Sequence, residues 1–295
     1  MRDRRATVGV IASGEGPVEQ FKAGMLKQNF VEGRNIQFET RVARGDSEKL
    51  VGFAQELVDQ PVDLIAVVGA VAARAALSAT SLIPIVYAVV VEPVGDELAT
   101  SSGSPLPNMT GVTTFDAGQA QAQLKLLQSI KPGLNTIAYM ADAAVSDCLA
   151  NANLRVAQDA GLRATVLRIV GPAPDLEGAF ANIRQDGAQA IVALEHPAIG
   201  ANARKIAECA LALNIPSIFG RDQAGSGGLL GYGTSLAAAT HVMARQVSRV
   251  LGGEAPADIP IESFCLPGLV VDMATARHLR LTIPSAVLRN AMQLN

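Results

Sequence analysis

Several short segments place residue types at spacings that can do chemistry. Ser13-Gly14-Glu15-Gly16 follows an apolar run and opens a helical pattern. Free amides at a helix N-terminus attract anions, and Ser13 adds a hydroxyl. Gly14-x-Gly16 also copies the first two glycines of a dinucleotide fingerprint, and Glu39 lies near the distance at which an acid meets a ribose. The third glycine position of that fingerprint is Glu19, however, and Glu15 would repel a pyrophosphate. The structural alternative is a tight turn that needs glycine. Gly69-Ala70-Val71-Ala72 is a second small-residue segment, where Ala70 permits close approach by a ligand or close helix–sheet packing. Tyr87 is expected at a strand end, where its ring can stack on a ligand and its hydroxyl can hydrogen-bond.

In the second half, Asp142 and Ser146 follow an apolar run, and either can bind a ligand or cap the next helix. Glu195-His196-Pro197 follows another run. His196 is the histidine at a strand end and can titrate or bind an anion, whereas His241 and His278 fall on helices, with solvated faces expected. Arg221 suits bidentate carboxylate capture, or else a surface pair with Asp222. No GxSxG elbow, HExxH, Walker A or paired Ser/Lys signature occurs. No catalytic residue, metal ligand or cofactor is therefore assigned, and binding is favoured over catalysis.

The elements that must position these groups alternate between strand and helix. Residues 7–12, 64–68, 83–87, 136–140, 164–170, 190–194 and 216–219 read as strands. Val18, Phe21 and Met25, or Leu50, Phe53, Ala54, Leu57 and Val58, mark helical stripes between them. Asp46 or Ser47 is expected to cap the second helix. A late helix carries Leu236, Thr240, Met243, Val247 and Val250, and Gly252-Gly253 stops it. Two successive sets of β-α units argue for an α/β protein of two doubly wound, Rossmann-like lobes, each with its own parallel sheet. Ligands of such sheets bind outside the carboxyl ends of strands, which is where the segments above fall.

The 295 residues are 49% hydrophobic and 17% charged, enough to bury a sizeable core. Lys+Arg 24 against Asp+Glu 27, with 4% aromatics and no Trp, argues against a basic face or a base-stacking platform for nucleic acid. Cys148, Cys209 and Cys265 are three and lie far apart, so neither a disulfide framework nor a zinc site is expected. Met1-Arg2-Asp3-Arg4-Arg5 followed by a short apolar run faintly mimics a signal peptide, but the run is expected to be the first strand.

Taken together, several stretches resemble the solute-binding proteins of ABC transporters, in the group that includes aromatic-amino-acid-type and uncharacterised members. They include Phe21 to Leu26 with Val31-Glu32-Gly33-Arg34-Asn35-Ile36, and Ala54-Gln55-Glu56-Leu57-Val58 with Val62-Asp63-Leu64-Ile65. Ala79-Thr80-Ser81-Leu82-Ile83-Pro84-Ile85-Val86, Glu92-Pro93-Val94-Gly95 and Asn108-Met109-Thr110-Gly111-Val112 continue the likeness. Gly228-Leu229, Gly231-Tyr232-Gly233, Thr275-Ala276-Arg277-His278-Leu279 and Leu281-Thr282-Ile283-Pro284 carry it to the C-terminal region. The resemblance covers nearly the whole chain.

It implies a type I periplasmic-binding-protein-like fold whose lobes, joined by a hinge, close on a small organic molecule and present it to an ABC permease in the inner membrane. The implied solute is an amino acid or a small, possibly aromatic, carboxylic acid. A monomeric, periplasmic or lipid-anchored protein is implied, although this chain shows no export signal. Lobe boundaries are expected at 1–112 with 235–260 and at 113–234 with 261–295. Ser13, Gly14, Glu15, Ala70 and Tyr87 are the candidate ligand residues of one lobe, and Asp142, Ser146, His196 and Arg221 those of the other. Two other function classes stay open: an NAD(P)-dependent oxidoreductase, on Gly14-x-Gly16 and Glu39, and the ligand-sensing domain of a cytoplasmic regulator, on the missing export signal.

Overall fold

The computed structural model describes residues 5–295, so most of the basic N-terminal segment weighed above lies outside the described residues. The chain begins β1 (Ala6–Ala12), α1 (Glu15–Lys27), β2 (Ile36–Val42), α2 (Lys49–Val58), β3 (Leu64–Val68), α3 (Ala70–Ala79), β4 (Ile85–Val90) and β5 (Met109–Thr113). It continues through α4 (Gln119–Ile130), β6 (Thr136–Asp142), α5 (Cys148–Asp159), β7 (Arg163–Ile169), α6 (Leu176–Gln185), β8 (Ala190–Ala193), α7 (Pro197–Ala201), α8 (Ala203–Ala212), β9 (Ser217–Phe219) and β10 (Leu230–Thr234). Then come α9 (Leu236–Leu251), β11 (Glu262–Ser263), β12 (Pro267–Asp272), α10 (Met273–His278), α11 (Ser285–Leu288) and β13 (Ala291–Leu294). Two compact units result. The first holds the chain up to Phe115 together with Leu236–Cys265, and the second holds Asp116–Ser235 with Leu266–Asn295.

Among the described residues of the first unit, one sheet has the order β11-β5-β4-β3-β1-β2, with parallel pairing throughout. Its centre reads as it packs: every residue of β3 is buried, as expected for a strand covered on both faces. The edge strand β2 alternates at its start, with Ile36 and Phe38 turned inward. One face is covered by α1 through Val18, Phe21 and Met25 and by α9 through Ala239, Met243 and Val247. The other is covered by α2 and α3 through Leu50, Ala54, Leu57, Ala72 and Ala76. α1 and α9 meet at Gly24, where a Cβ would stand 2.8 Å from the Ala244 Cβ and 3.2 Å from the His241 Cα. His241 is accordingly half-buried with its Nε2 enclosed, not on a solvated face as expected, while His278 is exposed.

The second unit carries the order β13-β12-β10-β9-β8-β6-β7. It departs from the expected wholly parallel sheet at one seam, where β10 and β12 run antiparallel. Between β10 and β12 the chain passes through α9, which packs on the first unit's sheet, so no crossover helix on this sheet sets the direction of β12. Tyr139, Ile137, Val192 and Ile218 build one side of the core, and Met140, Phe180, Ile206 and Phe219 the other. The doubly wound expectation holds for both units. Among the described residues, no helix is long and apolar enough to cross a membrane.

Candidate ligand-binding loops

In the first unit the carboxyl edge is made by the ends of β1, β3 and β4. β1 stops at Ala12 and the Ser13 carbonyl accepts the Gly45 N–H at 3.1 Å, tying the loop to the end of β2. Gly14 precedes α1 in ordinary extended backbone, φ −151°, with no side-chain cap. A Cβ at Gly14 or Gly16 would meet nothing within 4 Å, so the tight-turn explanation for these glycines is corrected: neither packing nor dihedral demands them. What remains is a helix start with no side-chain capping hydrogen bond. Glu15 leans away to Arg44 at 2.8 Å in an exposed ion pair.

Glu39 does not complete a dinucleotide site. It pairs with Gly9 in mid-sheet, three residues before β2 ends at Val42, and so lies about 10 Å short of the carboxyl edge. Gly69, by contrast, needs its glycine: at φ 100° it turns β3 directly into α3, placing Ala70 half-buried in the first turn.

Tyr87 is not at a strand end. β4 runs on to Val90, and Tyr87 is fully buried with its hydroxyl unpartnered. Burial also pushes its phenol well above the ordinary range. Its ring lies over Gly111 of β5, where a Cβ would come within 2.3 Å. Just beyond, the β4–β5 register shifts and Val89 adopts φ 60°, an outlying conformation for a β-branched residue. The strand therefore bends at its carboxyl end, before the Glu92-Pro93 loop.

The second unit concentrates polar groups at the same edge of its sheet. Asp142 ends β6, is 2% exposed, and accepts the Ala144 N–H and the Ala198 N–H, each at 2.9 Å. The expectation that Asp142 or Ser146 caps the next helix is corrected. α5 starts after Asp147 with no side-chain cap, and Asp142 instead satisfies the start of α7, 56 residues on in sequence. Asp142 also donates its backbone N–H to Nδ1 of His196 at 3.0 Å. His196 is buried, and burial holds its imidazole down to about 4, against the partial compensation of Asp142 and Asp147. The ring is thus neutral near pH 7 with its proton on Nε2. It is a buried neutral donor that does not titrate near pH 7. Ser146 is half-buried in the loop between β6 and α5.

Next to His196, Glu195 was passed over in sequence. Its Oε2 accepts the Gln119 side-chain amide at 3.2 Å, and its Oε1 is buried with no hydrogen-bond partner. A Cβ at Gly220, after β9, would stand 2.4 Å from Oε1, and one at Gly233, in β10, 3.0 Å from it. Burial raises the carboxyl to about 7; the Gln119 hydrogen bond and the Arg221 amide oppose this, while Asp222 and Asp116 add to it. The Arg221 guanidinium lies along β12, with Cζ and Nε within 3 Å of where a Gly268 Cβ would be. In sequence, the signal for Glu195 was a pair of glycines, Gly220 and Gly233, each at or just past a strand end. Asp142, Glu195, His196 and Arg221 thus gather at the carboxyl ends of β6, β8 and β9. Ser13, Gly14 and Ala70 mark those of β1 and β3 in the first unit.

Residues 9–295 match the family described as ABC transporter substrate binding protein. A tyrosine-binding protein of Clostridioides difficile is 28% identical over 134 residues, 44% of this chain and 38% of that relative's length. A conserved domain protein of Vibrio cholerae O1 biovar eltor superposes with a TM-score of 0.92 at 23% identity, covering 99% of this chain and 100% of that one. An ABC domain in complex with L-Trp from Streptococcus pneumonia superposes with a TM-score of 0.88 at 21% identity and the same coverage. These likenesses establish the fold as the type I periplasmic-binding-protein architecture. They lend no support to the oxidoreductase or the regulator.

Proposed function

The chain belongs to the ABC transporter substrate binding protein family, and from that premise we propose that it is the solute receptor of an import system. In this reading it captures a small organic molecule outside the cytoplasm, by ligand-biased closure of its lobes, and hands it to an ABC permease without a catalytic step. The observation that carries the proposal is the family match over residues 9–295, together with two doubly wound sheets whose polar groups sit at strand carboxyl ends. The solute class is an amino acid or a small carboxylic acid, aromatic acids included. Two relatives support it by description, one as tyrosine-binding and one as bound to L-Trp. In the first unit, the open amides after Ser13 favour a carboxylate. In the second, Arg221 supplies a cation and His196 a neutral donor.

A thermal-shift screen of amino acids, aromatic acids, short organic acids, nucleosides and NAD(P) tests this. A solute at a hundred times its Kd stabilises by about 2.7 kcal/mol. A shift with tyrosine, tryptophan or an aromatic acid is expected. A shift with NAD(P) alone would instead favour the oxidoreductase. An Arg221→Ala variant with unchanged affinity for the hit would remove Arg221 from the binding set.

A further inference from the structure

Glu195 has a geometry that protein groups leave incomplete. One carboxyl oxygen holds the Gln119 amide at 3.2 Å, the Arg221 backbone amide also acts on the carboxyl, and Oε1 is enclosed without a well-aligned hydrogen bond of its own. An acceptor in that condition is costly unless a proton or a donor completes it. The space is kept for that oxygen by Gly220 and Gly233, since a Cβ at either would crowd it. The field at the site is negative: Asp222, in the turn after β9, and Asp116, before α4, both act on Glu195. Of the other charged or titratable neighbours, Arg221 directs its guanidinium along Gly268 of β12, His196 is held neutral, and Asp142 is engaged by two backbone amides. A cation is therefore favoured beside Glu195 and an anion is not. The Glu195 side chain as a whole is half-buried.

We propose that Glu195 selects for solutes carrying a protonated amine, and that capture of the amine displaces the carboxyl proton to solvent. The proton balance is simple: a neutral carboxyl and an ammonium become a carboxylate–ammonium pair plus one free proton. This deepens the receptor reading and rests on it. It distinguishes amino acids from deaminated acids of the same shape, which the receptor reading alone does not.

The test is titration calorimetry of the full chain with tyrosine and tryptophan, and with 3-(4-hydroxyphenyl)propionate and indole-3-propionate, at about pH 5.5 and about pH 8. Affinity for the amino acids is expected to be about 30-fold weaker at the lower pH, with close to one proton released per solute there, read from buffers of different ionisation enthalpy. The deaminated acids are expected to bind more weakly and without that pH dependence. Glu195→Gln is expected to abolish both the pH dependence and the preference for the amine. Should that variant fail to fold, the wild-type pH profile and proton count decide alone. Deaminated acids bound as tightly as amino acids, or amino-acid affinity flat across the range, would overturn the role of Glu195 and leave the receptor standing. Binding of neither class would overturn both.

Discussion

The carboxyl edges of the two sheets solve the same positional problem with different chemistry. In the first unit the edge is built from small residues and backbone: Gly14 before an uncapped α1, Gly69 turning into α3, and Ala70 behind it. The ion pair beside its first loop, Glu15–Arg44, is exposed, the Arg74–Asp96 pair ties α3 to the loop after β4, and its tyrosine is locked in the core. In the second unit the edge carries two polar pairs, Asp142 bonded to His196 and to two backbone amides, and Glu195 bonded to Gln119. The first unit thus depends on shape and open amides, and the second on charge and proton placement. The comparison teaches that two sheets with the same parallel core can carry unlike ligand chemistry, because the chemistry lies in loops that the core only positions.

The contrast is broken most severely by adding bulk to the first unit. Gly111→Ala places a Cβ 2.3 Å from the Tyr87 ring and 2.5 Å from its carbonyl, and should cost about 3 kcal/mol. A urea unfolding midpoint equal to wild type would show that the Tyr87–Gly111 contact is not a constraint.

In the second unit, Asp142→Ala strips the acceptor from two backbone amides and should cost about 2–3 kcal/mol. Asp142→Asn, which keeps one acceptor oxygen, should cost less. If chemical denaturation ranked these variants in the opposite order, the network would not be what holds β6 to α7.

The pH dependence of stability sharpens the comparison further, since burial moves the two shifted groups at the carboxyl edge of the second sheet in opposite directions. His196 is depressed to about 4 from 6.5, so the unfolded chain takes its proton first. The stability His196 gives above about pH 6.5 is lost as pH falls toward 4. Glu195 is raised to about 7 from 4.5, so the folded chain keeps its proton longer. The stability Glu195 gives below about pH 4.5 is lost as pH rises through 7. The slopes oppose between about pH 4.5 and 6.5. Glu195→Gln should therefore leave the His196 slope alone, with stability rising by about 2 kcal/mol across that window. His196→Gln should show a fall. Melting curves of Glu195→Gln that track wild type at every pH would contradict the Glu195 assignment, and a flat profile of that variant between pH 4.5 and 6.5 would contradict the His196 assignment.

The smallest effect belongs to the first unit's ion pair. Arg44→Ala should shift stability by no more than about 0.5 kcal/mol, because both partners are exposed. A larger loss at physiological salt would mean that this edge, too, depends on charge.

Much of the fold was legible in sequence for a plain reason. Apolar runs such as Leu64-Ile65-Ala66-Val67-Val68 are strands buried on both faces, and Ala70–Ala79 and Leu236–Leu251 form helices where their periodicity and terminal glycines place them. The site was less legible. Tyr87 was expected at a strand end because Ile83-Pro84-Ile85-Val86-Tyr87 reads as a complete strand. In fact the strand begins later and bends at Val89. Asp142 looked like a local cap because local caps are the common case, yet its carboxylate serves α7, on the far side of β8 in sequence. Glu195 looked like any acid beside a histidine.

By itself, the sequence determined where the strands and helices lie and that the functional loops fall at strand carboxyl ends, because hydrophobic period and turn chemistry are local properties of the chain. Only the tertiary structure decided which of those loops meet and which acid is left with one carboxyl oxygen unpartnered. Burial, hydrogen bonding and the space left by Gly220 and Gly233 around Glu195 depend on residues separated by tens of positions, and no local pattern encodes their distance.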